Sequence, residues 1–126
     1  SVATRIVNAC DYVGVMGVEM FVVKRGREHH VLVNEIAPRV HNSGHWTIDG
    51  ATVSQFEQHI RAVAGLPLAK PKRLGTKVEM RNIIGDEILG ATDYLTQPNT
   101  AVHIYGKGKP SPRRKMGHVT RVWPGK

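Results

Sequence analysis

The chain has 126 residues, enough for one modest core or for one small domain with part of another. Eighteen lysines and arginines against ten acidic residues leave a net charge of +8, which points to an anionic partner: nucleic acid, a phosphorylated metabolite or an acidic part of a larger protein. The single cysteine, Cys10, excludes an internal disulfide framework, and no apolar run reaches the length of a membrane span, so a cytoplasmic, membrane-free protein is expected.

Residues Ala3–Tyr12 have helical composition, with Ile6, Val7 and Cys10 on an apolar stripe and Gly14 as the terminator. The pattern is already under way at Ser1, as in a piece of a longer protein. Gly17–Val23 and His29–Glu35 read as two strands, and the polar segment with Gly26 between them is a hairpin signal. A three-residue loop, Gly26 to Glu28, pairs Val23 with Val31, Phe21 with Val33, and Glu19 with Glu35. That register gathers Phe21, Val23, Val31 and Val33 on one face and sets the two glutamates opposite each other, Cβ atoms roughly 5 Å apart. Like charges so placed destabilise a sheet unless a cation lies between them, and hard oxygen ligands suit magnesium. A four-residue loop would set Glu19 against Asn34 instead, and the pattern leaves both registers open.

The stretch Val33–Thr47 is the most informative. It leaves an apolar strand and packs Glu35, Arg39, His41, Asn42, Ser43 and His45 into one short run punctuated by Pro38 and Gly44. A loop carrying nearly every hydrogen-bonding type, entered directly from a strand, has the character of a site on a rigid scaffold. The Arg39 fork can hold a planar oxyanion bidentately or pair with a nearby acid such as Glu35. Ser54 and Glu57 form a capping box that opens a helix over Gln55–Ala64, with Phe56, Ile60 and Val63 facing a core and Gly65 and Pro67 ending it. Leu66–Lys77, with two prolines, one glycine and four positive charges, reads as a linker.

Beyond it, Lys77–Ile84, Ala101–Tyr105 and Lys115–Trp123 read as strands, with a short helix over Ile88–Thr96. The strands close a small β-rich module. Lys107, Lys109, Arg113, Arg114 and Lys115 concentrate positive charge in and beside the loop before the last strand. Such a cluster suits either a phosphate or a nucleic-acid backbone; the aromatic pattern of an RNA-binding module does not accompany it. No Walker-A loop, G-x-G-x-x-G, zinc-type spacing or nucleophile–histidine–acid constellation is present.

Glu19 in GVEMFVV, the run NEIAPRVHNSGHWT from Asn34, SQFEQHIRAVAGLPL from Ser54 and RRKMGHVT from Arg113 together resemble the 5-(carboxyamino)imidazole ribonucleotide synthases, an ATP-grasp family. The sibling formate-dependent glycinamide ribonucleotide transformylases typically carry a serine before the glutamate and Asp-Thr-Gly where this chain has Asn42, Ser43 and Gly44. The resemblance covers nearly all of the chain but only about the last third of a full-length member. It implies an α+β fold: the C-terminal part of an ATP-grasp domain over residues 1–68, then a small β-rich C-terminal domain over 69–126. It also implies ATP and Mg²⁺ as cofactors, 5-aminoimidazole ribonucleotide and bicarbonate as substrates, and a homodimeric parent enzyme.

By the same resemblance Glu19 and Glu35 are metal ligands and Arg39, His41 and Asn42 are catalytic. Ser43, Lys107, Arg114 and Lys115 are substrate-binding, the last three at the ribonucleotide phosphate. Ala37 stands where other ATP-grasp branches place a metal-binding asparagine, which leaves two protein ligands. The adenine pocket and glycine-rich flap of such enzymes are absent from these residues, so the chain alone is expected to be inactive. A basic nucleic-acid-binding module is the alternative, and it rests on charge alone.

Overall fold

The computed structural model describes residues 1–125. It divides into two compact units, one of Ser1–His45 with Val53–Lys70, the other of Trp46–Thr52 with Pro71 onward.

In the first unit α1 spans Val2–Ala9, with the Ser1 hydroxyl accepting from the Thr4 amide at 3.2 Å as its N-cap. The helix stops three residues short of Tyr12 because Asp11 takes φ 45°, in the left-handed region. Cys10, expected on an apolar stripe, lies at the C-cap and is exposed. Strands β1 (Gly17–Arg25) and β2 (Glu28–Ala37) form an antiparallel hairpin.

The hairpin turn holds two residues, Gly26 and Arg27, rather than three, with Gly26 at φ 63°. Arg25 therefore pairs with Glu28, Val23 with His30, and Phe21 with Leu32. Since a one-residue slip exchanges the faces of a strand, Val31 and Val33 share a face with Val22 and Met20, not with Phe21 and Val23. The register then shifts between Glu19 and Met20, where Asn34 is the extra residue on β2, and Glu19 comes to stand opposite Glu35.

Helix α3 (Gln55–Val63) begins where the capping box predicts, the Ser54 hydroxyl accepting from the Glu57 amide at 3.1 Å. Gly65, at φ 65°, ends it. The stripe expected to face a core is open instead: Phe56 is 39% exposed and Ile60 60%. Ala37, Val53 and Gln55 are the buried residues of this unit. A two-stranded ribbon with two short helices offers no second layer to cover both faces, so its apolar residues stay open.

The second unit starts with a four-residue helix the sequence did not announce, α2 (Thr47–Gly50). Strands β3 (Lys77–Ile84), β4 (Thr100–Ile104) and β5 (Lys115–Trp123) form an antiparallel sheet in the order β3-β5-β4. The central strand is buried along Met116–Thr120, as a strand paired on both edges should be. Gly117 is required there, because a Cβ would run into the His103 carbonyl of β4. Residues Gly85–Thr96, expected as a helix from Ile88, run as 3₁₀ turns whose Ala91 is buried, as is Ile83 of β3. The Glu87 carboxylate accepts from the Ile84 amide at the start of these turns, at 3.1 Å. Among the described residues no helix is long and apolar enough to cross a membrane.

Candidate active site

The hairpin carries the acidic half of the site. Glu19 and Glu35 are register partners on adjacent strands, so their side chains leave the same face of the ribbon. Both residues are accessible, and Glu19 Oε1 lies 3.5 Å from His41 Nε2. Two carboxylates on one face, with oxygen donors only, fit a hard divalent cation such as Mg²⁺, which would also relieve their repulsion.

The loop after β2 folds back along the start of the hairpin. The Tyr12 hydroxyl donates to the Pro38 carbonyl at 2.8 Å, and the Arg39 amide donates to the Ala37 carbonyl at 2.8 Å. Arg39 Nη1 donates to the Val40 carbonyl at 3.0 Å, which orients the guanidinium and leaves further N–H donors for an anion. Among the described residues it forms no ion pair with Glu35, the partner that composition alone would offer.

A single 3₁₀ turn, Asn42–Gly44, follows, with His41 as its N-cap. The Ser43 amide donates to His41 Nδ1 at 3.3 Å, and the Ser43 hydroxyl lies 2.8 Å from the same nitrogen. With Nδ1 accepting, the His41 proton belongs on Nε2, the atom that faces Glu19. Gly17, the first residue of β1, sits so near that a Cβ there would lie 2.9 Å from His41 Cβ. The structure thus brings Glu19, Glu35, His41 and Ser43 together, with Arg39 and half-buried Asn42 on the same short loop.

Gln55 is the residue sequence reasoning missed. It is buried at the start of α3 and bonds both the amide and the carbonyl of His41. The available signal was its position: a polar residue at the first turn of a capped helix, ten residues after a polar loop.

In the second unit, Lys107, Arg114 and Lys115 lie in or beside the segment joining β4 to β5, and all are exposed. The Arg114 carbonyl accepts from the Gly85 amide at 2.9 Å and its amide donates to the Ser111 carbonyl at 3.1 Å, so its backbone is fixed while its side chain is open. Arg113 takes φ 66° beside it. Lys107 Nζ lies 5.1 Å from the centroid of the Tyr105 ring, a cation–π contact. Burial pushes the Tyr105 phenol above the ordinary tyrosine range.

Beneath that ring runs a chain no motif announced. The Tyr105 hydroxyl and His118 Nδ1 are 2.7 Å apart, the His118 and His103 rings stack at 4.6 Å, and His103 Nε2 lies 2.9 Å from Asp49 Oδ2. Asp49, His103 and His118 place ligating atoms within 4.8 Å of one another. The two rings are only 17° from parallel, however, and imidazole lone pairs lie in the ring planes, so the two nitrogens do not converge on one ion as they stand. The chain is a hydrogen-bonded and stacked support for the edge strand β4.

Both units match known protein families. The family model of the ATP-grasp domain matches residues 1–56, so the glutamate hairpin and its loop are of the ATP-grasp class. That of the phosphoribosylaminoimidazole carboxylase C-terminal domain matches residues 79–124. Over nearly all of its length the chain is similar to a C-terminal portion of the N5-carboxyaminoimidazole ribonucleotide synthases. It is 52% identical over 122 residues to the N5-carboxyaminoimidazole ribonucleotide synthase of Brucella melitensis biotype 1, covering 97% of this chain and 33% of that protein. The crystal structure of the synthetase from Thermus thermophilus is similar with TM-score 0.80 and 47% identity, over 95% of this chain and 31% of that one. The Aspergillus clavatus synthase, solved with ADP and 5-aminoimidazole ribonucleotide, is similar with TM-score 0.74 and 40% identity, over 88% and 31%. The chain therefore spans about a third of the length of the relatives it matches.

Proposed function

We propose that the whole protein containing this chain is an ATP-dependent ligase that joins bicarbonate to the exocyclic amine of 5-aminoimidazole ribonucleotide, forming a carbon–nitrogen bond in purine biosynthesis. The observation that carries the reading is the facing Glu19–Glu35 pair, with His41 and Arg39 beside it, in a chain similar to these synthases. Glu19 and Glu35 would hold Mg²⁺, which when bound neutralises charge on the nucleotide phosphates. Transfer of the terminal phosphoryl group of ATP to bicarbonate gives ADP and carboxyphosphate. The amine then takes the carboxyl carbon, and phosphate leaves.

Within that sequence Arg39 holds the oxyanion through its planar fork. His41 presents its Nε2–H beside Glu19, and Asn42 and Ser43 supply neutral hydrogen-bonding groups at the same turn. Lys107, Arg114 and Lys115 bind the ribonucleotide 5′-phosphate, where three cations on a backbone-anchored segment suit a dianion. The working form is taken to be a cytoplasmic homodimer, and the lone exposed Cys10 suits a reducing compartment.

Labelled bicarbonate tests the reading. The intact enzyme should fix label into an acid-labile product only when ATP, Mg²⁺ and the aminoimidazole ribonucleotide are all present. Label fixed without the ribonucleotide, or no label fixed with all of them, would refute it.

A further inference from the structure

Three hydrogen bonds of the Gln55 side chain fix its assignment. Its Oε1 accepts from the His41 amide at 2.9 Å, and its Nε2 donates to the His41 carbonyl at 2.8 Å. An amide N–H can only donate and a carbonyl can only accept, so the side-chain amide cannot be flipped. The second hydrogen of Nε2 then faces His45 Nδ1, 2.7 Å away. A nitrogen that meets a donor there must offer its lone pair. His45 is therefore neutral, with its proton on Nε2.

Packing holds the arrangement. Gln55 is 7% exposed, and a Cβ at Gly44 would stand 2.5 Å from Gln55 Oε1, so the turn closes over the amide only because residue 44 is glycine. The Phe56 ring lies 5.4 Å from the His45 ring. Two ionisable groups join this network: His41, which shares Gln55 through its backbone, and Glu19, which faces His41 Nε2. His59, one turn further along α3, accepts from the Val15 amide instead. Protonating His45 would set N–H against N–H at Nδ1, a cost that lowers its affinity for a proton.

We propose that Gln55 is the positioning residue of the 41–45 turn: it pins the His41 backbone and keeps His45 as a neutral Nε2–H donor. With the His41 proton also on Nε2, the turn presents two imidazoles in one tautomer. Neutral donors can hydrogen-bond a bicarbonate-derived oxyanion without trapping it as a cation would. That catalytic consequence rests on the function proposed above; the tautomer does not.

The test is long-range proton–nitrogen NMR of the intact enzyme labelled with ¹⁵N-histidine, the His45 signals identified by their loss in His45→Gln. His45 should show a bare Nδ1 and a protonated Nε2 at pH 7, and should titrate about one pH unit or more below an ordinary histidine. A proton on Nδ1, or an imidazolium at pH 7, would overturn the proposal with no variant needed. In Gln55→Glu a carboxylate replaces the donor, so the His45 titration should rise by about one unit or more, roughly tenfold in proton affinity. The turnover number should fall while the KM for ATP stays within about twofold, because the fault lies at the turn and not in nucleotide binding. An unchanged tautomer and titration in a folded Gln55→Glu enzyme would also overturn it. The NMR measurements stand whether or not the carboxylation reading survives.

Discussion

Glu19 and Glu35 face each other across β1 and β2 because Asn34 is bulged out of the ladder between them and the turn. The bulge, not the turn, sets this pair. Inserting one alanine between Asn34 and Glu35 should set that alanine opposite Glu19 and slip Glu35 to the opposite face, with a loss of roughly a hundredfold or more in kcat of the intact enzyme. Asn34→Ala keeps the extra residue and should retain most activity. Steady-state kinetics of the two variants, with circular dichroism to check the fold, decides whether register or side-chain identity matters at this position.

The basic segment makes a separable prediction. Arg114→Ala or Lys115→Ala removes one charge-assisted contact, about 1.5–3 kcal/mol, and should raise the KM for the ribonucleotide some 10- to 100-fold. The KM for ATP should barely move. If the segment serves nucleic acid instead, oligonucleotide binding will be tight at low salt and fall steeply as salt rises, which fluorescence anisotropy at two ionic strengths would reveal.

Tyr105 gives a pH dependence. Burial raises its phenol above the ordinary value, so the fold favours the neutral form. The stabilisation is fully present below the ordinary tyrosine value of about 10 and is lost as pH rises through the higher folded value. Ultraviolet titration should show one tyrosine ionising late, and Tyr105→Phe should remove that late step. Losing the contact with His118 should also lower stability by about 1 kcal/mol in chemical denaturation.

Residues 1–126 on their own should neither hydrolyse ATP nor stay monomeric. Phosphoryl transfer needs nucleotide held from more than one side, and on the proposed assignment these residues supply only two carboxylates for a metal, an arginine and cations for a phosphate. The hairpin exposes Phe21, Val22, Val31 and Leu32. Apolar surface of that kind promotes association. Sedimentation of the purified chain, alongside a phosphate-release assay, checks both points.

Strand positions in the second unit were legible because alternation and turn residues marked them; β3 and β5 fall where the sequence predicts them. The Glu19–Glu35 pair was also legible, but through a wrong intermediate register. The turn has one residue fewer than expected and β2 one more, and the two differences offset. Neither is visible in a sequence, since Gly26 permits several turn lengths and a bulge leaves no compositional mark. The α3 stripe misled because periodicity reports an amphipathic helix without saying what covers it. Gln55, His103 and Tyr105 escaped notice for another reason: their roles arise from contacts between residues ten to fifty-four positions apart.

The central claim is that the two facing glutamates serve ribonucleotide-dependent ATP chemistry. Its most direct test is phosphate release by the intact enzyme, wild type and Glu35→Gln, with ATP, Mg²⁺ and bicarbonate, with and without 5-aminoimidazole ribonucleotide. The account predicts release that the ribonucleotide stimulates in the wild type and that falls at least ~100-fold in Glu35→Gln, equivalent to about 2.7 kcal/mol of transition-state stabilisation, with the fold intact. Full ribonucleotide-stimulated release in a folded Glu35→Gln enzyme would contradict it.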